Sequence, residues 1–473
     1  MRVDLLVLAP HVLTMAGDGV GYRAGVAMAV DRGRIVDLGD AAGAAERYRA
    51  DETLSLPHHL VLPGLIDAHL HTGCCILRGL AQDTRHWMMY GLQPFDNAVR
   101  QEDRDTGSLL AILEAVQAGT TTLGDYGEDM EAVCAAVERI GVRGHLTQLI
   151  REVERRVYGP DELYPFTPAL GRQLLDRNLS LYDRWNGRAD GRIRILFGPQ
   201  AADFLSEPLL QEVRRAAVER GARIHMHVQQ GDRETRQIMM RYGRRPIAWL
   251  GEIGFLDEHL IAVHLTDADD REAAEVARSG AAMILCPGSI GLIDGILPPA
   301  AAFQAAGGRC GLGTDQAAGN NGTNMFNEMK AVCLFTKLKH QDPELMPAWR
   351  ALRMATIENA RAIGLGDQVG SLEVGKRADF IAVDLRRASM LPVHLEPMRN
   401  LVPNLVYSAR GPEVVLAAVD GRVIMRDGEV AGIDREELCD RVNACARGIG
   451  ERAAREFREV DGVGARFMRM GRL

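Results

Sequence analysis

No stretch of this chain stays apolar for the ~18 residues that a membrane span requires, which argues against a membrane role. Blocks of lysine and arginine are missing too. The 56 basic residues are scattered among 64 acidic ones, so no nucleic-acid footprint appears and the charge reads as solvated surface. There is no CxxC pair, and the eight cysteines are dispersed apart from Cys74-Cys75, which cannot easily bridge to each other. They read as reduced thiols of a cytoplasmic protein, with Cys74 and Cys75 as small core or pocket-wall residues. The opening Met1-Arg2-Val3-Asp4-Leu5-Leu6-Val7-Leu8 is too short and too acidic for a secretory signal and reads as a first β-strand. Internal repeats and low-complexity tracts are absent.

What is present is a large α/β pattern. The chain has 473 residues, 47% of them hydrophobic, which suits a globular protein with a large core. Residues 1–60 read as short strands and turns, and a matching β-rich stretch returns over 369–430, around Ala378 to Asp384 and Val414 to Val419. The two ends are expected to build one small discontinuous β-sandwich domain. Residues 61–368 alternate strand and helix. Eight candidate strands, counting the one at Val61, make a (β/α)8 TIM barrel with insertions the expected fold. A doubly wound sheet is the competitor, but no GxGxxG follows the first strand. Residues 431–473 are charged and read as a helical extension.

The informative residues sit where apolar runs end. Pro63-Gly64-Leu65-Ile66-Asp67-Ala68-His69-Leu70-His71 reads as a buried strand entering a pair of histidines. Residues at i and i+2 of a strand share a face, so His69 and His71 aim at one point, as two ligands of a divalent metal must. Three further runs end in His227, His264 and Asp315. In a (β/α)8 barrel the strand C-termini form the face that carries the active site. Three histidines and a carboxylate suit one Zn²⁺ or, as the alternative, Fe²⁺, either of which lowers the pKa of a bound water.

Asp315 then has two compatible tasks, ligating the metal and moving the water's proton. The plain alternative is a turn residue in Gly313-Thr314-Asp315. His264, one strand beyond His227, suits a hydrogen bond to the attacking water or to a tetrahedral intermediate, with a satisfied core histidine as its alternative. His225 lies deeper on the face of His227 and reads as structural or as support for a ligand. Asp67 either orients a ligand imidazole or is an ordinary paired carboxylate. Met88, Met89, Tyr90 and Phe95 form either an apolar wall for a flat ring or ordinary core.

These motifs resemble the amidohydrolase superfamily, in the mononuclear branch of aminohydrolases and chlorohydrolases that includes cytosine, guanine and S-adenosylhomocysteine deaminases and the triazine hydrolases. The likeness runs from Asp4 to about Val430. It covers the His69/His71 motif, Glu114 with Ala118-Gly119-Thr120-Thr121-Thr122, His227, His264, Leu312-Gly313-Thr314-Asp315 with Asn320 to Phe326, and Gly370 to Phe380. The resemblance implies a metal held by His69, His71, His227 and Asp315, with His264 catalytic, and often a homodimer. Phe197-Gly198-Pro199-Gln200 stands where a bridging lysine would be, which implies one metal and not two.

One departure concerns the chemistry. Three residues after the third ligand, where the deaminases carry a glutamate that shuttles a proton to a ring nitrogen, this chain has Gln230. An amide donates a hydrogen bond but does not titrate. Losing an acid–base group typically costs about 10²–10⁴-fold. A second departure is Ile290, the last residue of Cys286-Pro287-Gly288-Ser289-Ile290, where relatives tend to have Asn. The expected activity is hydrolysis of a C–N bond in a small heterocyclic, amide or urea-like substrate. Hydroxide from the metal attacks an sp² carbon, Asp315 moves the proton, His264 steadies charge and Gln230 orients the substrate. A triazine-type chlorohydrolase, or a non-catalytic binding protein on the same scaffold, is the alternative.

Overall fold

A computed structural model describes every residue of 1–473 except 157 and 160. The chain first runs through β1 (Arg2–Leu13), β2 (Tyr22–Asp31), β3 (Arg34–Asp40), β4 (Arg49–Ser55) and β5 (His59–Pro63). It continues into β6 (Leu65–Leu70), β7 (Thr120–Gly127), β8 (Arg143–Ile150), β9 (Ile193–Pro199), β10 (Ile224–Val228), β11 (Leu260–His264), β12 (Ala282–Leu285) and β13 (Cys310–Leu312). It returns through β14 (Phe380–Asp384), β15 (Val414–Val419), β16 (Arg422–Arg426) and β17 (Glu429–Val430).

Strands β6 to β13 lie in sequence order in one parallel sheet of eight. Parallel neighbours need a crossover, and helices such as Gln101–Gln117 and Glu207–Glu219 supply it. The two edges meet at the C-terminal end. Leu70 bridges Asp315, the Asp315 N–H donates to the His69 carbonyl at 2.9 Å, and the His71 N–H donates to the Asp315 carbonyl at 3.3 Å. This closure makes a TIM barrel and draws the first and last strand ends together.

The other nine strands form one hydrogen-bonded sheet built from both termini, in the order β17-β16-β15-β14-β5-β1-β2-β3 with β4 on β1. Alternate residues of β1, β2, β14 and β15, among them Leu5, Val7, Met28, Phe380 and Leu416, share a single apolar cluster, so the sheet curls over its own small core. Arg143 at the start of β8 ties this domain to the barrel. Its guanidinium donates to both oxygens of Asp379, at 2.9 and 3.0 Å, and to Asp420 at 2.8 Å.

The run expected to be one strand entering the histidines is two strands in two sheets. Val61 belongs to β5, which pairs with β1 and β14, and the barrel strand begins at Leu65. Gly64 makes the transfer possible, since a Cβ there would stand 2.0 Å from Thr121 Oγ1. Beyond the β-domain, the 26-residue helix Arg435–Val460 packs on Gln101–Gln117, where Arg452 bonds Asp103. Among the described residues no helix is long and apolar enough to cross a membrane.

Candidate metal centre

Each side chain singled out at a strand end reaches the same mouth of the barrel. His69, His71 and His227 can offer ligand atoms within 4.8 Å of one another, and so can His69, His264 and Asp315. The backbone is bent to allow it. His264 has φ 78°, Leu265 53° and Asp315 61°, in the left-handed region that side chains other than glycine seldom adopt. Strain of this kind persists where the surroundings hold it and clusters at functional sites. Here the barrel-closing hydrogen bonds hold Asp315, and the Leu265 N–H donates to the Val228 carbonyl at 3.1 Å.

The hydrogen bonds fix which ring nitrogens carry protons. Nδ1 of His71 donates to the Tyr126 carbonyl at 2.8 Å, and Nδ1 of His227 donates to the Gln200 carbonyl at 2.9 Å. A carbonyl can only accept, so both Nε2 atoms are bare. They nevertheless face each other at 3.3 Å. Two converging lone pairs repel unless a cation lies between them and their neighbours. The nearest anionic group is Asp315, whose Oδ1 lies 3.4 Å from His71 Nε2 and 3.6 Å from His69 Nε2. Its other oxygen accepts from Ser289 Oγ at 2.6 Å. His69 Nε2 is buried without a hydrogen-bond partner, while Nδ1 meets His225 Nε2 at 2.9 Å and His225 Nδ1 meets Thr147 Oγ1 at 2.9 Å.

The electrostatics agree with a ligand set. Burial pushes the His69 imidazole down to about 3 and that of His264 to about 4, and it holds His225 and His227 well below the ordinary histidine value. Burial alone would raise the Asp315 carboxyl, but the His69 contact and the surrounding imidazoles hold it well below the carboxylate range. Neutral imidazoles beside an ionised carboxylate are the protonation states that metal binding requires. The bare nitrogens and this donor set therefore fit a divalent cation, with Zn²⁺ and Fe²⁺ both suited.

The remaining expected residues take varied places. His225 and Thr147 stand directly behind His69. Asp67 supports the neighbouring last strand, accepting from the Thr314 N–H at 3.0 Å and from the Thr314 hydroxyl, and burial pushes its carboxyl up to about 7. Gln230 caps the helix Gly231–Tyr242, and its N–H donates to Glu234 Oε2 at 3.1 Å. Glu234 is thus folded back beneath the strand end and fully buried, with Oε1 unpartnered. Burial and then Asp203 push it up to about 8. Residue type alone gave no sign of this, since a glutamate in a first helical turn is usually solvated.

Of the suggested aromatic wall, Met88 and Tyr90 are exposed, while Phe95 packs on Phe457 of the C-terminal helix with ring centroids 5.2 Å apart. Trp87 hydrogen-bonds Asp294, whose carboxyl burial pushes up to about 6. A cavity of about 90 Å³ opens beside His71, walled by Cys74, Arg104, Asp125, Glu128 and Arg155.

Comparison with known proteins extends these observations. The "Amidohydrolase family" matches residues 60–424. A 5-methylthioadenosine/S-adenosylhomocysteine deaminase of Syntrophobacter fumaroxidans is 34% identical over 95% of this chain and 99% of its own length. A 5'-deoxyadenosine deaminase of Methanosarcina barkeri is 32% identical over 93% of this chain and 100% of its own. Among solved structures, an adenosine deaminase from Xanthomonas campestris with bound zinc superposes with a TM-score of 0.86 at 28% identity, covering 95% of this chain and 99% of its own. An atrazine chlorohydrolase from Arthrobacter aurescens with zinc reaches a TM-score of 0.80 at 20% identity, covering 93% and 100%, a likeness of fold.

Proposed function

The chain belongs to the amidohydrolase family, and on that premise we propose that this metal-dependent C–N hydrolase removes the exocyclic amine of an adenosine-like nucleoside. The observation that carries the chemistry is the convergence of two bare imidazole nitrogens, from His71 and His227, beside the Asp315 carboxylate. The substrate class is supported by relatives named as deaminases of adenosine derivatives. The 20% likeness to a chlorohydrolase speaks only to the fold, and full-length deaminase relatives do not favour a scaffold without catalysis.

In this reading His69, His71, His227 and Asp315 hold one divalent ion, Zn²⁺ first and Fe²⁺ as the alternative. When bound, the ion supplies a water of lowered pKa and an electrophile for oxygen. Asp315, whose carboxyl the neighbouring imidazoles hold ionised, would take a proton from the attacking water and deliver it to the departing nitrogen. A C–O bond forms, the C–N bond breaks and ammonia leaves. His264 is neutral and has both ring nitrogens unpartnered, so it can donate a hydrogen bond to the oxygen that develops charge. The Gln230 amide orients the substrate. The expected homodimer belongs to the same reading, and the eight free cysteines support a cytoplasmic setting.

Gln230 favours a second reading. Without a titrating group at that position, a substrate whose reacting carbon is already a carbonyl needs no ring protonation, so an amide, urea or carbamate would suit. One experiment separates the two. Protein loaded with zinc or iron is assayed for amine release from adenosine, 5'-deoxyadenosine, 5-methylthioadenosine and S-adenosylhomocysteine beside simple amides and ureas. Turnover of the nucleosides supports the first reading, and turnover of amides or ureas alone supports the second. No amine from any of them, with stoichiometric metal bound, overturns both.

A further inference from the structure

The opposite end of the barrel holds a second set of unsatisfied groups that the metal chemistry does not use. Strand alternation identifies the inward face. Tyr126, Thr147 and His225 meet around the barrel axis, so Thr122, His145 and Arg223, an even number of residues before them on β7, β8 and just ahead of β10, point to the same interior nearer the N-terminal mouth. Arg194 of β9 stands level with His145 in the sheet register and shares its face.

These groups are left open. His145 is 6% exposed, yet neither ring nitrogen has a partner, and the buried hydroxyls of Thr120 and Thr122 have none either. Arg194 and Arg223 are half-buried. Among the described residues neither pairs with a carboxylate, and Arg223 spends one Nη on the Glu258 carbonyl at 2.8 Å. Arg309 adds a third positive charge within electrostatic reach of Arg223, and the Glu258 carboxylate lies within the same reach. Burial, then Arg194 and Arg223, push the His145 ring down to about 3, so it adds no charge of its own.

Water would satisfy hydroxyls and a neutral imidazole, as it commonly does for buried polar groups. Arg194 and Arg223 in addition keep N–H donors that no carboxylate answers among the described residues. Arg143 on the same rim shows the contrast, because the carboxylates of Asp379 and Asp420 both pair with it. Guanidinium forks match tetrahedral oxyanions and carboxylates by paired N–H donors. We propose that Arg194, Arg223 and His145 form an anion site at the N-terminal mouth of the barrel, shaped for inorganic phosphate or the terminal phosphate of a small ester. This site stands apart from the metal centre and does not depend on the reaction assigned to it.

The probe is inorganic phosphate, titrated at constant ionic strength into the full-length, metal-loaded protein. The expected result is a saturable rise in Tm of roughly 3 °C that sodium chloride does not reproduce. The variant R194Q/R223Q keeps the metal centre and is expected to lose that rise. A rise that persists in the variant places the anion at the metal and overturns the proposal, as does no rise at all or an equal rise with chloride. Should the double variant fold poorly, imidazole NMR of the parent protein decides. The His145 ring signal, assigned by its loss in H145Q, is expected to move with phosphate. A signal that stays fixed means the chamber holds water only and the proposal fails.

Discussion

At the N-terminal rim Arg143 is 2% exposed and its charge is fully answered, by two oxygens of Asp379 and one of Asp420. At the C-terminal mouth, where His227 is buried and His71 half-buried, the two turn unprotonated nitrogens toward each other and toward one carboxylate. Burying a polar group without a partner is costly, so an arrangement that leaves several open must recover the cost from something that binds. The closed triad holds two domains together. The open cluster is poised for a cation. The comparison teaches that buried polarity marks function where it is unbalanced and architecture where it is balanced.

The largest effect should come from unbalancing the open end further. Asp315→Asn keeps the shape but removes both the proposed anionic ligand and the proposed proton carrier. We expect kcat/KM to fall by about 10²–10⁴-fold with the fold retained, measured by amine release beside circular dichroism. Activity within a few-fold of the parent would show that Asp315 does neither task. At the closed end the signs reverse. Arg143→Leu leaves Asp379 buried without its partner, and the expected cost is about 3–5 kcal/mol of stability by denaturant titration. Turnover per folded molecule should stay near the parent value. If turnover collapsed while stability held, the division between the two ends would be mistaken.

Much of the open end was legible in the sequence because strand periodicity is. His69-Leu70-His71 and His225-Met226-His227 read as two-residue repeats at the end of apolar runs, His264 ends a third run alone, and the barrel follows from eight such runs. The partners that set the tautomers were not legible, because Tyr126 and Gln200 contribute backbone carbonyls, which every residue has. Thr147 and Ser289 act through hydroxyls too common to stand out. The break at Gly64 was hidden for a different reason. Val61, Leu62, Leu65 and Ile66 are apolar on both sides of it, and a continuous apolar run does not reveal that two sheets share it. Fold-back of Glu234 depends on where a helix starts, the least legible boundary of all.

A smaller effect should sharpen the open end without destroying it. His225 takes no ligand position in the expected coordination sphere and bonds His69 from behind. With the proton on His69 Nδ1 and donated to His225, the Nε2 atom is free for a ligand role. Partners of this kind are typically worth 10–100-fold in metal affinity. His225→Ala should weaken zinc binding by about that factor, read by competition with a chromogenic chelator. Thr147→Val, one step further back, should weaken it less. Equal affinity in all three proteins would mean that His225 only fills space.

The smallest expected effect is a slope in pH, and it tests whether an unbalanced group near the open end carries a stability cost of its own. Glu234 has one oxygen on the Gln230 N–H and the other unpartnered, and burial and then Asp203 raise its carboxyl to about 8. In an unfolded chain the same group titrates near ~4.3. Between these values the native state keeps a proton that the unfolded state has released. The contribution of the protonated acid is therefore complete below the unfolded pKa and lost as pH rises toward about 8. Glu234→Gln mimics the protonated acid and cannot ionise. The stability of the variant relative to the parent should climb steadily between pH 5 and 8, measured by urea unfolding at several pH values. Parallel curves would mean that the carboxylate is charged throughout and that the unpartnered oxygen is answered by solvent.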